Sequence, residues 1–424
     1  MGNLDYTQVL NKIENTRRFG NEPGVVVTAQ VIKVLREKGK QKRIIPYIHV
    51  AGTNGKGSVC AFFSSILKKE HMRVGTFVSP HLVDFEERIT VDGRMIPKED
   101  VTRLGNYLLD IDFGIGLTMF DYCLAMALLY FEEQQCDYMV IETGLGGRLD
   151  STNAIGTPQC AVITKIGYDH MAILGSDIAD IAAEKAGIIK ENSAVVVEQQ
   201  DKRAMQVIEQ EAKKKHARII TVEQSDIARC SGYALRLCGT FQWENAAAAE
   251  LAARYVLGKR YSGPEYEMQY DKTEPKSEKT DLNDRIKSAL EEAVWPGRME
   301  IVSNEPFLLV DGAHNSNGVD ALKESLMQMY PGEKFCFFMG VMADKDYDVM
   351  IREILPLAEE FYTVTPDSDR ALQASHLADF IRKEGVVATE LSGVDEIGMH
   401  LKRDTKNVAF GSLYFIGELK QHRI

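Results

Sequence analysis

At 424 residues the chain can hold two or three domains, and 45% apolar with 26% charged residues is the balance of an ordinary globular protein with a sizeable core. A formal net charge of −12 argues against non-specific binding to nucleic acid or to an anionic membrane surface, while leaving room for a local basic site. Seven scattered cysteines, odd in number and without a C-x-x-C pair, speak against a disulfide framework or a zinc site and for a reducing compartment.

The start Met1-Gly2-Asn3-Leu4-Asp5-Tyr6 has no basic region followed by an apolar one, so no signal peptide is expected. Tyr6 also stands where a myristoylation signal needs Ser or Thr. No apolar run is long enough to span a bilayer, and a cytoplasmic location is expected. Periodicity predicts a helix with Tyr6, Val9, Leu10 and Ile13 on one face. A second carries Thr28, Val31, Ile32 and Leu35 and stops at Gly39. Strands and helices then alternate. Tyr47 to Ala51 reads as a strand, Val59 to Lys69 as a helix, Arg73 to Val78 as a strand and Asp121 to Glu133 as a helix. Strands from Tyr138 to Ile141 and Cys160 to Ile166 follow, then a helix from Ile178 to Ile189. The alternation predicts an α/β fold with a doubly wound, parallel sheet.

Residues 261–283 are polar, with hardly any aliphatic residue, and read as an exposed connection or insertion. Beyond Trp295-Pro296-Gly297-Arg298 the alternation resumes with a strand from Phe307 to Val310, a helix from Gly318 to Met329 and a strand from Phe335 to Met339. A domain boundary is placed near Pro296, giving an N-terminal domain over 1–295 and a smaller one over 296–424.

The run Gly52-Thr53-Asn54-Gly55-Lys56-Gly57-Ser58 follows a buried strand and opens a helix. Glycines let backbone N–H groups turn toward an anion, and the helix N-terminus adds its partial positive charge. Lys56 can reach the outer phosphates of ATP and Ser58 can approach Mg²⁺. The spacing G-x-x-G-K-G-S is a variant of the common phosphate loop; the plain alternative is a tight turn with a surface lysine.

In an open parallel sheet ligands bind beyond the carboxyl ends of the strands. One predicted strand is followed by Glu142, whose carboxylate suits Mg²⁺. Another leads to Gly167-Tyr168-Asp169-His170, where His170 is a candidate metal ligand. The plain alternatives are a solvated loop carboxylate and a turn or cap histidine. Lys185, late in its helix, fits the helix dipole with no function at all.

Taken together, these motifs resemble a known family. Ser79-Pro80-His81-Leu82, Glu142 to Asp150 with its Gly-Leu-Gly-Gly-Arg core, Glu184-Lys185-Ala186-Gly187, Gln242-Trp243-Glu244-Asn245-Ala246, Pro296-Gly297-Arg298 and Asp311-Gly312-Ala313-His314-Asn315 occur in order along nearly the whole chain. The sequence resembles the folylpolyglutamate synthases and bifunctional dihydrofolate/folylpolyglutamate synthases of the Mur ligase superfamily. The resemblance implies an N-terminal ATPase and folate-binding domain and a Rossmann-like glutamate-ligase domain. It implies a monomer that joins L-glutamate to the γ-carboxylate of a folate, or to dihydropteroate, through an acyl phosphate made from ATP.

By the same resemblance, Gly52 to Ser58, Asn245, Arg298 and Asp311 bind ATP. Ser79 and Glu142 hold one Mg²⁺ and His170 a second. Lys185 is carbamylated, and Lys56, His170, Lys185 and His314 serve catalysis. Thr118, Phe120 and Asp121 match a folate-binding pattern Thr-x-Phe-Glu, with Asp in place of Glu. Trp295 replaces a more usual Phe. The alternatives are a cell-wall Mur ligase acting on a UDP-linked peptide, and a P-loop ATPase without bond-forming chemistry.

Overall fold

Strand β1 (Tyr47–Ala51) is buried along its whole length, as a strand covered by helices on both faces must be. The computed structural model describes residues 3–16, 20–262 and 276–422. In chain order β1 is followed by β2 (Val74–Phe77), β3 (Ile89–Val91), β4 (Arg94–Met95), β5 (Tyr138–Glu142), β6 (Cys160–Ile163), β7 (Ala194–Val197) and β8 (Arg218–Thr221). They form one sheet in the order β4-β3-β2-β5-β1-β6-β7-β8. The pairs from β2 to β8 are parallel, while β3 and β4 run antiparallel at one edge.

The register decides where the chemistry goes. Val50 of β1 stands beside Glu142 of β5, and Ala51 beside Ile163 of β6. Thr143 N then donates to Val50 O and Thr164 N to Ala51 O, so the loops leaving three neighbouring strands start level with one another. One sheet face is covered by the helices Gly24–Glu37, Lys98–Leu109 and Met119–Glu133, around a core that includes Val31, Phe77, Leu124 and Phe131. The helix Lys56–Lys69 buries Val59, Phe62, Phe63 and Ile66.

In the second unit β9 (Glu300–Asn304), β10 (Phe307–Val310), β11 (Phe335–Met339), β12 (Ala358–Thr363), β13 (Val387–Glu390) and β14 (Lys406–Phe410) form a sheet in the order β13-β12-β11-β14-β10-β9. Only the β9–β10 pair is antiparallel. Phe335, Phe337, Phe361 and Phe410 fill one side of it.

Chain contacts divide the molecule into a unit of 1–81, 85–234 and 244–293 and a unit of 82–84, 235–243 and 294–424. The polar stretch 261–283, expected as an exposed connection, lies partly outside the described residues (263–275). Its end belongs to a helix, Lys276–Glu292, which buries Ile286, Ala289 and Leu290 in its later turns. Among the described residues no helix is long and apolar enough to cross a membrane.

Candidate active site

The loop after β1 is shaped by contacts that tolerate no side chain. A Cβ at Gly52 would stand 1.8 Å from Thr164 Oγ1. Gly55 adopts φ +91°, a left-handed conformation in which a side chain is strained, and a Cβ there would be 2.3 Å from Asn245 Oδ1. Asn245, buried in the helix Phe241–Ser262, is thereby placed against the loop. The loop is pinned from β6: Thr53 N donates to Lys165 O at 2.9 Å, Thr53 Oγ1 to Gly167 O at 3.0 Å, and Thr164 Oγ1 to Asn54 O at 2.6 Å. Gly55 caps the helix Lys56–Lys69 and has no side chain to bond its first N–H groups, which suits an anion at that end.

Glu142 ends β5 almost fully buried, with Lys56 Nζ 3.8 Å from its Oε1. Ser79 N donates to Glu142 Oε2 at 3.4 Å, which brings the Ser-Pro-His-Leu segment, with its cis Ser79–Pro80 bond, to the same carboxylate. Lys185, in the helix Ile178–Ala186, is buried and donates from Nζ to Gly52 O at 2.8 Å. Burial, reinforced by the positive charge of Lys56, lowers its pKa to about 7, against the pull of Asp169 and Asp150. A buried lysine amine whose pKa is lowered into the physiological range therefore touches the phosphate loop.

His170 is exposed, at φ +51° on the N-cap of the short helix Met171–Leu174. Its Nε2 lies 3.9 Å from Asp169 Oδ1, whose charge acts in turn on Lys185. Phe120 packs edge-on against Phe77 with ring centroids 5.4 Å apart and lies against Gly144. Asp121 is engaged differently from an open ligand-binding carboxylate. Its Oδ2 accepts from Thr118 N at 2.8 Å and Thr118 Oγ1 at 2.6 Å, and its Oδ1 accepts from Ser151 Oγ at 2.6 Å. It closes a capping box at the start of Met119–Glu133 and is 2% exposed. The carboxylate of Asp121 folds back onto Thr118.

In the second unit Asp311 follows β10 and is buried. It accepts from Met299 N and Ala313 N, both at 2.8 Å. Burial raises its pKa, while Arg298 and the two backbone donors pull it down. Arg298 lies across Gly312, where a Cβ would come within 2.1 Å of its Nη1. His314 Nδ1 is 2.8 Å from Gly312 O and donates to that carbonyl.

Sequence reasoning passed over Thr164, Asp150 and Asp169. Thr164 and Asp150 are buried, and all three act on the phosphate loop, the Gly-Leu-Gly-Gly-Arg loop or Lys185. Thr164 lay inside a predicted strand, and Asp150 and Asp169 lay within motifs that gave them no role of their own.

The chain matches the Mur ligase middle domain over residues 50–235 and the Mur ligase glutamate ligase domain over 297–407. It is similar to a dihydrofolate synthase/folylpolyglutamate synthase of Bacillus subtilis, 33% identical over 98% of both chains. It is 29% identical to a folylpolyglutamate synthase of Lacticaseibacillus casei, over 99% of this chain and 98% of that one. Among solved structures it resembles the Mycobacterium tuberculosis folylpolyglutamate synthase complexed with ADP and AMPPCP (TM-score 0.83, 25% identity, 99% and 98% of the two chains). It also resembles E. coli FolC in complex with DHPP and ADP (TM-score 0.80, 26% identity, 99% and 97%).

Proposed function

Since the chain belongs to the dihydrofolate synthase/folylpolyglutamate synthase family, we propose that it phosphorylates the γ-carboxylate of a folate with ATP and joins L-glutamate to the acyl phosphate. It is an ATP-dependent ligase of the Mur type that adds glutamate to folates. One arrangement supports this reading over a nucleotide switch: the phosphate loop, the buried Glu142 carboxylate and the buried Lys185 amine converge in one unit. A switch needs the first and has no use for the third.

A carboxylate is a poor electrophile. Transfer of the γ-phosphoryl group makes it an acyl phosphate and releases ADP; the glutamate amine then attacks, and phosphate leaves from the tetrahedral intermediate. Lys56 and the N–H groups of Gly55 to Ser58 offset the charge spread over the transferring phosphoryl oxygens. Among the described residues no cluster of three His, Cys, Asp or Glu side chains stands ready for a metal. Mg²⁺ bound through one or two carboxylates plus phosphate oxygens and water needs no such cluster, and the buried Glu142 facing a cation at 3.8 Å fits it. Ser79 and Glu142 would hold one ion and His170 a second; when bound, the ions neutralise phosphate charge.

Lys185 would add a further anionic oxygen ligand as a carbamate. The neutral amine attacks CO₂, the N–C bond forms, and one proton leaves to solvent. The lowered pKa supplies the neutral amine this needs. Thr118 and Phe120 are assigned to the folate, with Asp121 as the residue that sets Thr118. Arg298 and Asp311 are assigned to the nucleotide, together with Asn245. His314 is assigned to the incoming amine or the phosphoryl group.

The test is phosphate release by purified protein with ATP and labelled glutamate, offering tetrahydrofolate and dihydropteroate separately. Release that depends on glutamate and on tetrahydrofolate supports the proposal, and the dihydropteroate arm decides the dihydrofolate synthase activity. Release indifferent to every acceptor would sink it.

A further inference from the structure

His49 stands in the middle of β1, fully buried, with no part in the chemistry above. Its Nε2 is 2.7 Å from Thr152 Oγ1, and the Thr152 hydroxyl is hydrogen-bonded to Asp150 Oδ1. A carboxylate only accepts, so Thr152 donates to Asp150 and itself accepts from His49 Nε2–H. This selects the neutral Nε2–H tautomer. The Nδ1 lone pair is buried without a hydrogen-bond partner. Burial, with the charge of Lys190 behind it, lowers the His49 pKa to about 3, so the direction of the chain holds at ordinary pH.

Asp150 collects three more donors: Thr152 N at 3.0 Å, Gly144 N at 3.0 Å and Leu145 N at 2.9 Å. Burial pushes its pKa up, and these bonds work against that. Gly144 and Leu145 open the loop that leaves β5 just after Glu142 and Thr143. On one side that loop meets the ring of Phe120, which a Cβ at Gly144 would approach to 2.7 Å. On the other, a Cβ at Gly147 would be 2.7 Å from Glu184 O and 2.9 Å from Lys185 O, and Arg148 N donates to Glu184 O at 2.7 Å. Asn153, beside Thr152, ties Arg148 O and Gly187 O together at 3.0 and 3.1 Å. An aliphatic side chain at position 49 would pack in β1 without an unpaired ring nitrogen, so the histidine is explained by the bond it donates.

We propose that His49, acting through Thr152 and Asp150, is a positioning residue that sets the Gly144–Gly147 loop between Phe120 and the Lys185 turn. What the loop serves rests on the ligase reading; the brace itself does not. The variants are His49→Leu, which removes the donor, His49→Gln, which keeps one, Thr152→Val, Thr152→Ser and the double variant His49→Leu/Thr152→Val. His49→Leu and Thr152→Val should each raise KM for the folate about tenfold while KM for ATP stays within about twofold, because Thr164, Lys165 and Gly167 pin the phosphate loop independently. His49→Gln and Thr152→Ser should stay near the parent. The double variant should be no worse than Thr152→Val, since the path runs through that hydroxyl. Hydrogen exchange at the Gly144 and Leu145 amides should speed up in His49→Leu and Thr152→Val, whatever the turnover.

Unchanged amide protection, additive losses in the double variant, or a His49→Gln defect equal to that of His49→Leu would each overturn the proposal. If the parent protein releases phosphate without any folate, the ligase reading falls, and the exchange measurement still decides the brace.

Discussion

Replacing Gly52 with alanine tests the geometry of the phosphate loop with one methyl group. The new Cβ would lie 1.8 Å from Thr164 Oγ1 and 2.9 Å from Thr164 Cβ, where unstrained carbon contacts begin at about 3.5 Å. Thr164 cannot yield freely, since its Oγ1 bonds Asn54 O at 2.6 Å and its N bonds Ala51 O at 2.8 Å. The loop must move instead, carrying Gly52 O away from Lys185 Nζ. Overpacking of this kind costs about 1–3 kcal/mol, and one broken buried hydrogen bond adds about 1–3 kcal/mol. Stability should therefore fall by roughly 2–6 kcal/mol, and a displacement near 1 Å at the phosphates should cost about 100-fold in turnover. Thermal unfolding and folate-dependent phosphate release read both effects. Adding Thr164→Ala removes the closest contact and should recover part of the lost stability. A Gly52→Ala protein that melts and turns over like its parent would show that the loop has room for a side chain.

Lys185 offers a pH test that needs no substrate. Its folded pKa is near 7, below the ordinary 10.5 of the unfolded chain. Between those values the unfolded state binds a proton that the folded state does not, so in CO₂-free buffer unfolding free energy should climb with pH by up to about 1.4 kcal/mol per unit. Lys185→Met should flatten that climb in denaturant titrations run at several pH values; an unchanged slope contradicts the assignment. Lys185→Ala should lose ligase activity that bicarbonate does not restore, and full activity would exclude the carbamate. Asp121→Ala, which opens a capping box and frees Ser151, should cost about 1–3 kcal/mol in urea melts, and a loss below about 0.5 kcal/mol would show that the buried carboxylate holds little.

Three strands were legible residue by residue. Tyr47–Ala51, Phe307–Val310 and Phe335–Met339 coincide with continuous apolar runs, because strands buried on both faces leave that pattern. Helix starts were read late: Lys56–Lys69 begins inside the loop and Met119–Glu133 two residues before Asp121, since a first turn of Lys-Gly-Ser or of capping residues lacks the apolar periodicity. The antiparallel edge of β3 and β4 went unread because two or three residues carry no period. Segments 82–84 and 235–243 belong to the second unit although they lie far from it in the chain, and no local signal marks such membership.

The α/β alternation, the glycine-rich loop after β1 and the order of motifs that marks the family were all readable from the chain, because these depend on local periodicity and on residues adjacent in it. Which polar residues meet was settled by the packed sheet. It set Glu142 beside Lys56, drove the Lys185 amine against Gly52 O, turned Asp121 into a cap and linked His49 to Asp150 across more than a hundred residues. Those pairings follow from strand register and burial. Register and burial exist only once the sheet has formed, and burial is what moves a lysine amine toward neutrality.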